Sequence, residues 1–518
     1  MRMRAVRKVS SRPGLRSRSM ALGAASIGMM LALSACGGTE KKEAGGGDVV
    51  TDAEITIAST AITNSLDPNA ALSSVGRTYT KQVFDQLVVF DADGKLQPSL
   101  ATEWERTDDT TMEFTLRDDV EFSNGDPLNA EAVVENVTRV LSGDPAYATV
   151  AGRLATVDSA EAVSEFVVRV KTKTPDPILL NRMTLFDIVA PATFGEDRPA
   201  GSGPYKVVEY EEGVRIKLTR NETSWRETES VKDFTLEAIP NPTTLASALR
   251  TGAVDLAIAL PSDAITQLGS AGFTTTAMPA GSAAITSLIA DAEPKLEDLR
   301  VRQAINMAVN REEFVEASLG GFGSPNGSQL LQKGYFGYDE SLPSFEYDPE
   351  RAKELIAEAG AEGLKLPIAT TALFKTQAEA VAGYLNAVGF KSEVVLEDLS
   401  AFIPTLLQQS KYPLLYWQTD YYDLRDISSV VRFGPPAPGQ QSHIPVNEYQ
   451  DLYVAQASQL DEAQRESDIK AMAKILNEEA GVLFLAWPDT VYSSSPALGE
   501  LPLGGDSLVQ VEGIVVTE

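Results

Sequence analysis

The order of apolar and polar positions predicts strands in widely separated parts of the chain. Residues 54–58 (EITIA) alternate as a half-buried strand does, whereas residues 83–90 (VFDQLVVF) and 414–417 (LLYW) are apolar runs typical of buried strands. Residues 112–116 and 120–122 predict two strands that pair around the turn between them. Such strands need an apolar interior to cover them.

Other segments repeat apolar residues at helical spacing and carry capping residues. Three helices are predicted with their N-caps: residues 130–141 with Asn129, residues 301–316 with Asp298, and residues 350–359 with Asp348. Pro349 suits the first helical position, and Gly360 suits the left-handed residue that ends a helix. Because helices and strands alternate, the pattern predicts an α/β protein.

The polar run after residue 417 concentrates groups suited to a small organic ligand. Trp417, Tyr421 and Tyr422 offer flat apolar faces, and Asp420 or Asp423 could neutralise an ammonium group. Ligands of open α/β sheets bind where strands end, and this loop leaves the end of a predicted strand. The alternative is an ordinary strand end with its aromatic residues in the core and its carboxylates in water.

The composition predicts a strongly acidic surface. The chain has 518 residues with 73 Asp and Glu against 44 Lys and Arg, a net charge of −29. This length is enough for two or three domains. An acidic surface repels phosphate backbones, so nucleic acid is not an expected partner.

The first 35 residues predict export. They hold seven Lys or Arg and no acidic residue, and their apolar stretch over residues 20–35 ends in Leu-Ser-Ala before Cys36. This arrangement resembles a bacterial lipoprotein signal, in which the cysteine is lipidated. We expect a signal peptide over residues 1–35, lipidation of Cys36, a flexible tether over 36–49, and a location at the outer face of the bacterial cytoplasmic membrane.

Residue types for catalysis or metal binding are scarce. Cys36 is the only cysteine and His443 the only histidine, and the adjacent Ser442 cannot face that histidine usefully. Neither an enzyme nor a cofactor is therefore expected. His443 could ligate a metal or a metal chelate, although one imidazole is a thin basis for affinity.

A series of short motifs runs along the chain in a characteristic order. They are Leu66-Asp67-Pro68, residues 83–87, 93–104 and 114–128, Gly201-Ser202-Gly203-Pro204-Tyr205, residues 252–256, 299–311 and 347–355, and the Trp-x-x-Asp stretch at 417–420. Together they resemble the family 5 extracellular solute-binding proteins of ABC importers, a group that includes oligopeptide-, dipeptide- and nickel-binding proteins. The resemblance covers nearly all of residues 50–518.

The resemblance implies an α/β, two-lobe fold of the periplasmic-binding-protein type II, with a hinge between the lobes and an extra subdomain inserted in the first lobe. We expect the first lobe over residues 50–284 with its insertion at about 81–186, the second lobe over 285–485, and a return to the first lobe over 486–518. A monomer is expected.

The implied function is capture of a small solute for an ABC transporter permease, with a short peptide as the leading candidate. Oligosaccharides, opines and nickel chelates are alternatives within the family. A surface receptor lipoprotein without a role in transport is an alternative of a different class.

By the same resemblance, Asp420 holds the α-ammonium group of a peptide, and Trp417 and Tyr421 form walls of the cleft. Many relatives have Asp-Pro where this chain has Asp423 followed by leucine. Arg425 could then hold a ligand carboxylate, but an ion pair with a neighbouring aspartate, Asp423 or Asp426, is favoured.

Two further segments are assigned to the cleft or its surroundings. Thr60, Thr63 and Asn64 follow the first strand and occupy a strand end that faces the cleft in this fold, but they also suit caps and turns. The glycines of the segment 201–205 are predicted to be structural, because they permit a tight chain reversal, and Tyr205 is predicted to lie near the cleft.

Overall fold

Strands from distant parts of the sequence assemble into one long sheet. The computed structural model describes residues 48–70, 74–408, 411–418, 424–430 and 447–518. All of them belong to the unit Gly47–Glu518. No helix in these ranges combines the length and the apolar character needed to cross a membrane.

The strands are β1 Ala53–Ser59, β2 Val88–Phe90, β3 Leu96–Pro98, β4 Ala101–Asp108, β5 Thr111–Leu116, β6 Val157–Ser164, β7 Val167–Thr172, β8 Tyr205–Glu211, β9 Arg215–Arg220, β10 Val231–Ala238, β11 Leu256–Ile258, β12 Thr274–Pro279, β13 Ala284–Leu288, β14 Gly323–Pro325, β15 Ile368–Thr370, β16 Val394–Leu396, β17 Leu414–Gln418 and β18 Val482–Ser494. The α-helices are α1 Ser74–Val83, α2 Ala130–Val140, α3 Ala148–Arg153, α4 Leu179–Met183, α5 Pro242–Arg250, α6 Ser262–Ser270, α7 Leu299–Met307, α8 Arg311–Leu319, α9 Pro349–Glu358, α10 Lys375–Ala387, α11 Leu399–Gln408, α12 Ile427–Val430, α13 Asn447–Gln456 and α14 Glu462–Glu478.

Twelve of the described strands form the main sheet, whose path runs β16-β15-β17-β13-β18-β11-β1-β10-β9-β8. The strands β12 and β14 pair with β18 beside this path. β1 pairs in parallel with β10 and β11, while β18 is antiparallel to β13 and β11. The sheet is therefore mixed, and its strand order differs strongly from the order of the sequence.

Strand β18 belongs to both halves of this sheet. Its residues 482–486 pair with β13, and its residues 489–494 pair with β12. We call β1, β8–β12 and the second half of β18 the first lobe, and β13, β15–β17 and the first half of β18 the second lobe. In the described part of the chain, the backbone crosses between them after β12 and again near Pro488.

A smaller sheet, in the order β4-β5-β7-β6, lies within the range predicted for the insertion. Its strands pack with α2 around an apolar core that includes Phe114, Phe122 and Val133. The predicted lobe and insertion boundaries remain predictions, since the pairing of strands does not delimit domains to the residue.

The predicted helix caps are confirmed. The side chains of Asn129, Asp298 and Asp348 accept backbone N–H groups at the starts of α2, α7 and α9. Gly360, just after α9, has a left-handed φ of 59°. These features are local in sequence, which is why the sequence pattern is sufficient to identify them.

Three predicted elements are wrong in extent or pairing. Residues 83–90 are not one strand, because α1 ends at Val83 and only Val88–Phe90 is extended; an apolar run alone does not distinguish a helix end from a strand. Residues 120–122 do not pair with β5, whose partners are β4 and β7. Residues 301–316 form parts of two helices, because Asn310 caps a new helix by accepting the N–H of Glu313.

Candidate functional site

A cavity near the lobe boundary has a volume of about 1020 Å³. The first lobe contributes the end of β1 with the loop that follows it, and the start of α6. The second lobe contributes the end of α8 and residues at and before the start of α10, while residues 488–492 of β18 line the cavity from the crossing itself. Its volume is at the upper end of the range that suits small organic ligands.

The loop after β1 reaches this cavity in part. Thr60 and Thr63 line it, and the Thr63 hydroxyl donates to the backbone oxygen of Ser65 at 2.7 Å. Asn64 is exposed and is not among the lining residues. Because β1 is parallel to its two neighbours, this loop leaves the carboxyl end of a parallel strand, where α/β proteins bind ligands.

Strand β17 ends at the same cavity, which its last residue, Gln418, lines. The preceding Trp417 is only 4% exposed, and its Nε1 donates to Ser287 Oγ at 2.9 Å. Its ring packs in the apolar core of the second lobe and does not form the predicted cleft wall, because it points away from the face that Gln418 presents.

Several predicted site residues lie outside the described part of the chain. Asp420, Tyr421, Tyr422 and Asp423 lie two to five residues after Gln418. The lipidation residue Cys36 and the single histidine, His443, also fall in undescribed ranges. Their assigned roles therefore stay predictions.

Tyr205, predicted to lie near the cleft, belongs to the apolar core of the first lobe and is not among the residues that line the cavity. Its side chain is fully buried, its hydroxyl donates to the backbone oxygen of Val231 at 3.0 Å, and its ring meets Phe234 edge-on at 4.8 Å between centroids. The adjacent glycines are structural, as predicted, because a Cβ on Gly201 would lie 2.0 Å from the backbone oxygen of Val83.

Arg425 does not form the predicted ion pair with Asp426. The Asp426 carboxylate instead accepts from Arg465 Nη2 at 2.7 Å, and both of these side chains are buried. The Arg425 guanidinium donates to the backbone oxygen of Gly505 and lies 5.3 Å from the centre of the Phe90 ring. The other predicted partner, Asp423, is outside the described residues.

The residue before Arg425 contacts residues 178–185, around α4, which fall in the range predicted for the insertion of the first lobe. Leu424 is buried against Ile178 and Leu185, and Asn181 Nδ2 donates to the Leu424 backbone oxygen at 2.7 Å. We call these contacts the interlobe bridge. Leu424 is the first described residue after the segment 419–423, in which the ligand-binding residues Asp420 to Asp423 are predicted.

The sequence model of the bacterial extracellular solute-binding proteins, family 5 Middle, matches residues 95–436. The chain belongs to this family. The cavity at the lobe boundary, and the strand β18 that runs through both lobes, therefore belong to a family 5 solute-binding protein.

Relatives of known name are similar over much of the chain. The nickel-binding periplasmic protein of Escherichia coli (strain K12) is 28% identical over 456 residues, which cover 81% of this chain and 86% of that protein. The glutathione-binding protein GsiB of Pectobacterium atrosepticum is 27% identical over 320 residues, which cover 60% of this chain and 61%, less than two thirds, of that protein.

A solved structure confirms the fold class. NikA from Brucella suis in complex with Fe(III)-EDTA matches with a TM-score of 0.81 and 25% identity, over 90% of this chain and 100% of that one. This family 5 protein therefore has the two-lobe α/β fold that its sequence predicts.

Carboxylates are the charged groups that the family 5 cavity presents. Asp263, Asp489 and Asp506 line it, and no lysine, arginine or histidine does so among the described residues. Two cations that do not line the cavity neutralise Asp506: Lys81 Nζ and Arg77 Nη2 lie 3.2 and 3.4 Å from its Oδ2. Burial opposes the ionisation of Asp506, but these two cations outweigh it and hold its pKa below the usual value.

The other two lining carboxylates differ in environment. Asp263 is exposed in the first turn of α6, where the helix dipole favours a negative charge. Asp489 is half-buried, and burial raises the pKa of its carboxyl. Neither Asp489 nor the interlobe bridge lies in a local motif, so the sequence does not predict either of them.

The described residues contain no group of three or more His, Cys, Asp and Glu side chains arranged to hold a metal ion. What the cavity offers chemically is apolar surface, hydroxyl and amide groups, and negative charge. Such a surface can hold an organic solute that carries a positive charge.

Proposed function

We propose that this chain is an extracytoplasmic lipoprotein that binds a short peptide between its lobes and delivers it to the permease of an ABC transporter. Its family consists of solute-binding proteins, so its role is binding rather than catalysis. The observation that carries the peptide proposal is the cavity of about 1020 Å³, whose described charged lining consists of carboxylates, as a ligand with a free amine requires.

The predicted anchor for that amine is Asp420. Gln418, two residues before Asp420, lines the cavity, which supports this role. In this proposal Tyr421 and Tyr422 supply apolar faces, and Asp423 supplies further negative charge. A charge-assisted hydrogen bond to the amine contributes about 1.5–3 kcal/mol.

Closure of the lobes couples binding to delivery. A ligand that contacts both walls of the cavity stabilises the arrangement in which the lobes are close, and the permease recognises that arrangement. The two crossings, after β12 and near Pro488, are the segments that accommodate the change. The protein acts as a monomer held at the outer face of the cytoplasmic membrane by lipid on Cys36, with residues 36–49 as its tether.

Thermal unfolding tests the peptide proposal. Protein freed of ligand by unfolding and refolding is heated with tripeptides whose N-termini are free or acetylated. Ligand at a concentration of about 100 times its dissociation constant stabilises a protein by about 2.7 kcal/mol. We expect free peptides to raise the midpoint, acetylated peptides to leave it unchanged, and Asp420→Ala to abolish the effect without altering the fold. Equal effects of both peptides would contradict the role of Asp420.

A metal chelate is the second candidate. It is favoured by the similarity to the nickel-binding periplasmic protein, which extends over 81% of this chain. In the same assay, nickel with histidine is compared with histidine alone. Stabilisation only when nickel is present, with no response to peptides, would replace the peptide proposal. If neither ligand acts, oligosaccharides and opines are tested next, and a receptor without a transport role remains the alternative class.

A further inference from the structure

Strand pairing holds Asp489 at the boundary between the lobes. Within β18, Pro488 pairs with Gly323 of β14, and Asp489 pairs with Pro279, the last residue of β12. Both residues line the cavity. The position of this carboxylate is therefore set by the sheet at a point where the chain crosses from one lobe to the other, and not by a loop.

The Asp489 carboxylate has no protein counter-charge among the described residues. Arginine and lysine pair with Asp506 in the same cavity, but none of the described ion pairs or hydrogen bonds involves the Asp489 side chain. Asp255, another half-buried aspartate, accepts the backbone N–H of Thr56 at 2.8 Å. Asp489 thus differs from Asp506 and Asp255, because burial alone acts on its carboxyl and raises its pKa.

A half-buried carboxylate without a partner costs free energy that a cation can recover. The surroundings suit a cation carried on an apolar stem, because apolar side chains such as Ile258 and Phe322 line the same cavity. We propose that Asp489 binds a second cationic group of the ligand, an ammonium or a guanidinium, and that the cavity selects solutes that carry it. This inference rests on the proposed function and narrows its ligand class to basic peptides.

Calorimetric titration of three tripeptides tests the inference. The peptides are Ala-Lys-Ala, its norleucine analogue, which keeps the stem without the charge, and Ala-Glu-Ala. We expect the mature protein to bind the lysine peptide about tenfold or more tightly than the norleucine peptide, and the glutamate peptide most weakly. In Asp489→Asn the ratio of lysine to norleucine affinities should fall to about one.

Asp233→Asn is the matched control, because Asp233 is also half-buried and lies outside the cavity lining. It should keep the affinity ratio of the unaltered protein. The melting temperature of ligand-free Asp489→Asn is a second readout. If Asp489 serves binding, the variant should keep the melting temperature of the unaltered protein. If Asp489 has a structural role, the melting temperature should fall.

Each outcome decides the inference. Equal affinities for the lysine and norleucine peptides, or a ratio that Asp489→Asn leaves intact, would overturn it while the peptide proposal stands. If no peptide binds, the peptide proposal fails, and 1,5-diaminopentane is compared with 1,5-pentanediol by thermal unfolding. A stabilisation specific to the diamine and lost in Asp489→Asn would support a cation site, and equal effects of the two compounds would overturn it.

Discussion

At the scale of the residue, Asp298 shows how one side chain sets a helix boundary and contributes a pH-dependent interaction. Its Oδ1 accepts the backbone N–H of Arg300 at 3.0 Å at the start of α7. The Arg300 guanidinium also donates to this carboxylate, with Nη2 at 2.6 Å from Oδ2, and it lowers the pKa of Asp298. The cap and the ion pair thus share one group.

Two substitutions separate these contributions. Asp298→Ala should lower the free energy of unfolding by about 1 kcal/mol, because it removes the cap. Asp298→Asn should keep the cap and lose only the charge interaction. Since the folded pKa is lowered, that part of the stability is present above the ordinary carboxyl pKa and is lost as the pH falls through the folded value.

Urea unfolding as a function of pH measures both effects. The stability difference between the unaltered protein and Asp298→Asn should be present at neutral pH, begin to fall near the ordinary carboxyl pKa of about 4, and disappear only below the lowered folded pKa. A difference that persists in strong acid would contradict the role of the charge.

At the scale of the element, a loop packs directly on the end of a helix through one glycine. The residues before β8 approach the end of α1 so closely that a Cβ on Gly201 would lie 2.6 Å from the Phe84 ring, in addition to its clash with the Val83 backbone oxygen. Gly383, within α10, is the opposite case, because a Cβ there would have no neighbour within 4 Å.

The same substitution at these two glycines should therefore have opposite effects. Gly201→Ala should lower the free energy of unfolding by about 1–3 kcal/mol, since either the loop or α1 must move. Gly383→Ala should raise it by about 0.5–1 kcal/mol, because alanine loses less backbone entropy in a helix. Denaturant unfolding of the two variants measures both changes. Destabilisation by both substitutions would show that a Cβ at position 383 does meet neighbouring atoms.

At the scale of the whole molecule, the interlobe bridge joins Leu424 to residues that lie in the range predicted for the insertion of the first lobe. Leu424 is 4% exposed between Ile178 and Leu185, although these residues are far from it in sequence. A contact of this kind stabilises the arrangement in which the lobes are close, independently of any ligand. It therefore contributes to the population that is ready to bind.

Leu424→Ala should shift that population toward the open arrangement. We expect a larger radius of gyration in small-angle X-ray scattering without ligand, and about tenfold weaker ligand binding, although Leu424 is not among the residues that line the cavity. Leu399→Ala, at a side chain that is 65% exposed in α11, is the control and should change neither quantity. An unchanged radius of gyration in Leu424→Ala would show that the bridge does not set the lobe arrangement.

The sequence by itself determined the features that depend on neighbouring residues. Helix caps at Asn129, Asp298 and Asp348, strand β17, and the order of motifs that led to the family all follow from short patterns, and the structure and the comparisons confirm them. Backbone preferences and capping hydrogen bonds act over a few residues, so a linear pattern contains the information needed to predict them.

Only the tertiary structure decided which side chains meet. Trp417 packs in the core against Ser287, Asp426 pairs with Arg465 rather than with its neighbour, and Asp489 reaches the cavity without a protein counter-charge in the described residues. These outcomes depend on which strands pair and which faces are buried, across separations of tens to hundreds of residues. A local pattern does not predict such contacts, because the free energy that selects them arises only when the whole sheet has assembled.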